Sequence, residues 1–215
     1  QYYFKDNNME KLKGKLIIAR HHESEWNKLN YWTGLTDIKL TPHGRKESSK
    51  MGLAIKDQKI DRAITSELSR AIETLEIMLK AMKQTVPIDK TPAMNERDYG
   101  DYAGKYKWEM KELLGEEKFH AVRRGWNYPV PRGETLKMVY ERVLPYYLDN
   151  ILPRLKEGEN ILLVAHMNSL RALIKYIEQI PDDEIDKTEI LFGEIFIYQV
   201  DEKGVVFSKE KIKNK

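Results

Sequence analysis

Short apolar runs alternate along this chain with longer stretches in which apolar residues recur every three or four positions. Leu16-Ile17-Ile18-Ala19 predicts a strand. Thr41-Pro42 predicts a helix start, with threonine as the N-cap and proline at the first helical position, and the helix runs to about residue 56. Arg62-Ala63-Ile64-Thr65 predicts a second strand. Leu68, Ile72, Leu75, Met78, Leu79 and Met82 then fall on one helical face. Val86-Pro87-Ile88 is a short extended piece. Residues 94–132 keep no sustained period; they read as an irregular, lid-like excursion with helical fragments at 108–114 and 116–124. Residues 135–155 are helical, interrupted near Pro145 and Pro153. Ile161-Leu162-Leu163-Val164-Ala165 is the clearest strand. Residues 168–180 are helical, and Pro181 stops them. Phe196-Ile197-Tyr198-Gln199-Val200 and Val205-Val206-Phe207 flank a turn at Glu202-Lys203-Gly204 and predict a closing hairpin.

Continuously apolar strands between amphipathic helices imply a three-layer α/β fold, a mostly parallel central sheet flanked by helices. No stretch rich in Pro, Gly or Ser divides the chain, so residues 14–215 are expected to form a single domain. Residues 1–13 are set apart as an extension.

Composition narrows the classes. The 215 residues are 41% hydrophobic and 33% charged, which is the balance of a soluble globular protein. The absence of cysteine excludes disulfides, thiolate catalysis and zinc–thiolate sites. The net charge of +3 arises from 37 basic and 34 acidic side chains. The one basic concentration, residues 209–215, reads as a solvated tail, so no nucleic-acid partner is expected. No apolar run approaches the roughly 20 residues of a membrane span. Residues 1–8 lack the apolar segment of a signal peptide. A cytoplasmic location fits.

Two segments repeat one device. Leu16-Ile17-Ile18-Ala19-Arg20-His21 and Leu162-Leu163-Val164-Ala165-His166 each end a buried strand on a histidine. In open α/β sheets that end faces the ligand crevice. Thr65-Ser66-Glu67-Leu68-Ser69-Arg70 brings an arginine to the same edge, and the helix start after His166 adds backbone N–H groups. Arg20, Arg70, His21 and His166 would together suit a doubly charged oxyanion, each close charge pair being worth roughly 4 kcal/mol before desolvation. Taken singly, a histidine at a strand end is more often structural, and an arginine there more often an ion pair. Three strand ends converging on one chemistry favour a phosphate site. His43 reads as a first-turn surface residue and His120 as solvent-facing. Adjacent His21 and His22 point apart on an extended segment, which disfavours a zinc site. Asp182-Asp183-Glu184 reads as an acidic helix start rather than a magnesium site. No Walker-type glycine loop is present.

Arg20-His21-His22-Glu23-Ser24-Glu25-Trp26-Asn27 resembles the Arg-His-Gly motif of the histidine phosphatase superfamily. Thr33-Gly34, Leu40-Thr41-Pro42-His43-Gly44, Thr65-Ser66-Glu67-Leu68-Ser69-Arg70-Ala71-Ile72-Glu73-Thr74, Asn95-Glu96-Arg97-Asp98-Tyr99-Gly100, Arg123-Arg124 and Ala165-His166-Met167-Asn168-Ser169-Leu170-Arg171 are similar, in order, to the cofactor-dependent phosphoglycerate mutases. The resemblance implies an isomerase of glycolysis and gluconeogenesis acting on small phosphorylated three-carbon acids. It would interconvert 3- and 2-phosphoglycerate through a phosphohistidine, with 2,3-bisphosphoglycerate as primer and no metal, as a monomer or homo-oligomer. On the same resemblance His21 would accept the phosphoryl group, with Arg20, Arg70, His166 and Asn27 around it. Glu96 would be the acid/base. Tyr99, Lys107, Arg123 and Arg124 would hold the substrate carboxylate and second phosphate, and Thr33, Gly34 and Asn168 would complete the pocket. Three places depart from the family pattern. His22 and Met167 stand where glycine is usual; Asp101-Tyr102-Ala103-Gly104-Lys105-Tyr106-Lys107 differs in the lid; and Leu191-Phe192-Gly193-Glu194-Ile195 replaces a Thr-Gly-x-Pro element. The alternatives are a phosphatase of small phosphomonoesters and a non-catalytic binder of phosphorylated metabolites.

Overall fold

The computed structural model describes residues 13–213; the expected extension therefore lies, apart from Lys13, outside the described residues. Lys13 itself is tied in, its N–H donating to the Val200 carbonyl.

Six strands form one sheet: β1 (Lys15–Arg20), β2 (Arg62–Thr65), β3 (Ile88–Lys90), β4 (Ile161–Ala165), β5 (Glu194–Val200) and β6 (Val206–Lys213). Their order is β3-β2-β4-β1-β5-β6. β3, β2, β4 and β1 run parallel, β5 is antiparallel to β1, and β6 is antiparallel to β5. The sheet is thus mostly parallel, with an antiparallel hairpin at one side. β6 continues well past Phe207, which corrects the reading of residues 209–215 as a solvated tail: as far as Lys213 they pair with β5. Their alternating lysines keep this edge in water and discourage pairing with another sheet.

Among the described residues eight α-helices accompany the sheet: α1 (Glu25–Lys28), α2 (Pro42–Ala54), α3 (Ser69–Met82), α4 (Lys107–Leu114), α5 (Glu116–Arg124), α6 (Leu136–Tyr146), α7 (Leu152–Glu157) and α8 (Met167–Ile177). The Thr41 hydroxyl accepts the Gly44 N–H at 2.9 Å and starts α2; Thr135 does the same for α6 through Met138. α6 carries Pro145 and passes into a π-helical turn, Tyr147–Ile151, before α7, so the predicted interruption is a widened turn and not a break. α8 stops three residues earlier than the apolar pattern suggests, where Gln179 takes a left-handed φ of 53°. Asp182-Asp183-Glu184 precedes only a single 3₁₀ turn, Ile185–Lys187, and Asp182 pairs with Lys175. None of the helices among the described residues is long and apolar enough to cross a membrane.

Side-chain alternation assigns the two faces. Leu16, Ile18, Ile64, Leu163 and Ala165 pack with α6, α7 and α8; Ile17, Ala19, Ala63, Leu162 and Val164 pack with α2 and α3. β1 therefore hands the chain to helices on one face, and its neighbour β4 hands it to α8 on the other. The C-terminal ends of this adjacent pair form the switch point where a crevice opens.

Residues 94–132 build a third small core over that edge, in which Trp32, Tyr99, Met110, Phe119, Val122 and Val130 pack together. Buried Arg97 ties the excursion to the body, donating from Nε to the Glu134 carbonyl and from Nη1 to the Val122 carbonyl. Arg142 forks onto the Glu134 carboxylate and also donates to the carbonyls of Ala93, Asn95 and Glu96. The segment carrying Glu96 is irregular, yet the backbone oxygens of Ala93, Asn95 and Glu96 are taken up by one arginine, Arg142. At Gly100, with φ +47°, an added Cβ would lie 2.1 Å from the Pro131 carbonyl oxygen, so only glycine fits.

Candidate active site

The crevice over β1 and β4 is a cleft of about 440 Å³. Arg20, His21, Asn27, Thr33, Gly34, Arg70, Glu96, Tyr99, Lys107, Arg123, Arg124 and Asn168 all line it. His166 is fully buried beside His21, with ring centroids 4.9 Å apart, and is not on the wall.

The His21 N–H donates to the Ala165 carbonyl at 2.9 Å, extending the β1–β4 ladder by one residue and fixing where its ring enters the cleft. Its Nδ1 lies 2.7 Å from the His22 carbonyl oxygen, which can only accept, so Nδ1 carries the proton. Burial, then Arg70 and Arg20, hold the His21 pKa well below the ordinary 6.5. The ring is neutral and its Nε2 is unprotonated, with a lone pair available to an electrophile. His166 is also held neutral, by burial first and then by Arg70, His21 and Arg20. Its Nε2 is 2.7 Å from Ser66 Oγ, and its buried Nδ1 has no partner among the described residues.

The arginines are held differently. Arg70, 1% exposed, donates to the carbonyls of Thr36 and Gly34 at 2.9 and 2.8 Å. Gly34 takes a φ of +56°, which aims its carbonyl there. Arg20 lies with its guanidinium carbon 4.0 Å from the ring centroid of Phe192, and its buried Nε has no partner among the described residues. Burial lowers both guanidinium pKa values to about 10, so both remain charged at neutral pH.

Glu96 is 7% exposed. Its Oε1 accepts from the N–H of Arg97 at 2.7 Å, and from the N–H and Nδ2 of Asn168 at 3.2 and 3.1 Å. Its Oε2 has no protein partner among the described residues. The same Asn168 amide donates to the Tyr99 hydroxyl at 2.9 Å, and its Oδ1 accepts from Arg171. From the excursion come Arg123 and Arg124 at the last turn of α5, and Lys107 at the start of α4. Arg124 pairs with Glu189 at 2.7 Å. Burial, then Arg123 and Arg20, push the Lys107 pKa down to about 8. Asn27 closes a capping box at α1, its Oδ1 accepting from the Ser24 N–H and hydroxyl.

At the two glycine-replacing positions, His22 and Met167, the backbone is not in the left-handed region, so a side chain adds no strain. Met167 lines the cleft and packs on the core beneath α8. His22 turns away: its Nδ1 accepts the Glu23 N–H, and its ring stacks on Phe192 at 5.2 Å and meets exposed His43 edge-on at 5.6 Å. His120 is exposed and faces Asp186 at 3.4 Å.

The sequence offers no pattern for Trp32 and Glu189 on the cleft wall; Leu191 and Phe192 stand out there only as a departure, and Arg171 beneath it only as the end of a family-like stretch with no role attached. Fully buried Arg171 donates to the carbonyls of Thr188, Arg124 and Ile185 at 2.8, 2.6 and 2.8 Å. Arg171→Met is expected to leave these oxygens and the Asn168 Oδ1 without their donor and to lower stability by about 3 kcal/mol. Denaturant titration would measure it; a loss under about 1 kcal/mol would mean the loops hold themselves.

The sequence matches the histidine phosphatase superfamily (branch 1) over residues 16–212. It is 44% identical to the 2,3-bisphosphoglycerate-dependent phosphoglycerate mutase of Parvibaculum lavamentivorans, over 92% of this chain and 95% of that one. It is 42% identical to the enzyme of the same name in Cytophaga hutchinsonii, over 87% and 88%. Among solved structures, Bacillus stearothermophilus YhfR superposes with a TM-score of 0.80 at 28% identity, covering 90% of this chain and 94% of that one. The alpha-ribazole phosphatase from Shigella flexneri, with a TM-score of 0.78 at 22% identity over 94% and 96%, shares the fold.

Proposed function

The chain belongs to the histidine phosphatase superfamily, and from that premise we propose that it is a 2,3-bisphosphoglycerate-dependent phosphoglycerate mutase, an isomerase interconverting 3- and 2-phosphoglycerate. The observation that carries this is the pairing, in one cleft, of a neutral His21 Nε2 with a carboxylate oxygen of Glu96 that has no protein partner, inside a ring of fixed cations. The names of relatives at about 40% identity over nearly the whole chain support it.

The residues suit the bisphosphorylated primer. Arg20 and Arg70 would hold one phosphate beside His21, the buried Arg20 Nε supplying a donor that no protein group uses. Lys107, Arg123 and Arg124, with Tyr99, would hold the rest of the anion, and Asn27, Thr33, Gly34 and Asn168 would close the walls. When bound, the primer supplies the phosphoryl group that charges the enzyme. His21 would form the N–P bond at Nε2 as the ester P–O bond to the leaving oxygen breaks, and its Nδ1–H would keep the His22 carbonyl as partner, which steadies the cation that develops on the ring. Arg20, Arg70 and the α8 N-terminus neutralise the equatorial oxygens. Glu96 takes the proton of the attacking hydroxyl at Oε2 as the new P–O bond forms, and returns it to the leaving oxygen in the reverse direction.

The test is one sample followed for both products: isomer formation should need catalytic amounts of 2,3-bisphosphoglycerate and should far exceed phosphate release. Release of inorganic phosphate without isomer would make the protein a phosphatase instead.

Charge sets the pH profile. Lys107 is a cation below its pKa of about 8 and neutral above it, so kcat/KM for the anionic substrate should fall as the pH rises through about 8. Lys107→Gln should remove that alkaline fall. Because the His21 pKa lies well below 6.5, protonation of the nucleophile should cause no loss around 6.5. An acid limb near pH 6.5 in kcat of the wild type, or an unaltered alkaline limb in Lys107→Gln, would refute these assignments.

A further inference from the structure

The two arginines beside His21 are built in on opposite principles. Arg70 is clamped by two backbone carbonyls. Arg20 donates to no protein acceptor among the described residues; what it has is the face of Phe192, 4.0 Å from its guanidinium carbon. Phe192 also touches the two neighbouring rings, at 6.2 Å from His21 and stacked at 5.2 Å on His22. It sits in a turn that is itself pinned. The Leu191 N–H donates to the Glu194 carboxylate, the Glu194 N–H donates to the Leu191 carbonyl, and the carboxylate pairs with Lys211 and Lys213 of β6. Gly193, at φ +77°, lets the chain reverse there.

We propose that Phe192 is the positioning residue for Arg20: its ring face holds the guanidinium in the cleft that His21 also lines while leaving every N–H free for a phosphate. A carbonyl clamp would hold Arg20 equally well but would consume the donors that the ligand needs. A π face attracts a cation without accepting its hydrogen bonds. The same contact gives His22 its place, because its ring stacks on Phe192 from the other neighbour and keeps it from rotating off Arg20. This turn is where the chain departs from the Thr-Gly-x-Pro element of its family, so the device belongs to this chain's own residues. The inference rests on the mutase reading only in taking the ligand of Arg20 to be a phosphate.

The experiment is calorimetric titration of the full chain with inorganic phosphate, on wild type, Phe192→Tyr, Phe192→Leu and Phe192→Met, with melting temperatures measured alongside. Tyrosine keeps the ring face and should keep wild-type affinity. Leucine and methionine keep apolar bulk without the face and should weaken phosphate binding about tenfold at an unchanged melting temperature. Binding by either aliphatic variant within about twofold of wild type would overturn the positioning role. So would weak binding by the tyrosine variant, or weakening only in variants that also melt earlier. The mutase assay on wild type is read separately: phosphate binding without isomerisation would sink the functional reading and leave this one standing. No phosphate binding by wild type would sink both.

Discussion

His21→Ala is expected to reduce isomerisation by roughly 10⁴-fold or more, to the level of the uncharged enzyme. The fold should tolerate the change. The ladder bond from residue 21 to Ala165 is a backbone bond and survives, and the lost side-chain bond runs only to the adjacent carbonyl. No neighbouring group can take over. His166, the nearest ring, stands off the cleft wall with its Nε2 engaged by Ser66. The measurement is twofold: the coupled isomerase assay, and recovery of an acid-labile phosphoryl group after incubation with 2,3-bisphosphoglycerate. Wild type should carry the label and His21→Ala should not. A labelled, active His21→Ala protein would move the nucleophile elsewhere. A wild type that binds phosphoglycerate but never labels would favour the non-catalytic binder.

Glu96→Gln is expected to lower kcat for isomerisation by about 10²- to 10⁴-fold with KM nearly unchanged. Glutamine keeps an oxygen for the three N–H donors that converge on Oε1, so Arg97 and Asn168 stay where they are. What it removes is a proton acceptor at the other terminal atom. The selectivity of the loss is the signature. Charging of His21 by p-nitrophenyl phosphate, whose leaving group needs no proton, should persist in Glu96→Gln. Transfer to an alkyl hydroxyl should not. Equal loss in both reactions would show that Glu96 serves geometry and not proton movement.

These expectations rest on parts of the molecule that differ in how openly the chain declares them. The strand-then-histidine device was legible because a continuously apolar strand has a period and an end, and the residue at that end faces the crevice whatever else the protein does. The two faces of the sheet follow from the same alternation in Leu16, Ile17, Ile18 and Ala19. Arg97, Arg142 and Arg171 were not legible as architecture. Each gathers carbonyl oxygens from irregular loops far away in sequence, and a carbonyl is the one group that every residue carries alike. Phe192 was noticed only as a missing motif, since a ring lying over a cation leaves no spacing to read. His22 had no derivable purpose until its stacking partner, 170 positions later, was in view. The lysine-rich end reads as a tail because a mostly exposed edge strand has no apolar alternation; its pairing with β5 is carried by the backbone ladder and by lysine contacts with Glu194 and Phe196.

That last strand has a practical consequence for anyone preparing this enzyme. Lys211 and Lys213 are the countercharges of Glu194, which is 3% exposed and braces the turn bearing Phe192. A purification handle fused close behind residue 213, or trimming that peels this strand away, would strand a sealed-in carboxylate and slacken the turn. A preparation damaged so far from the crevice would look intact by size and grip its ligand poorly.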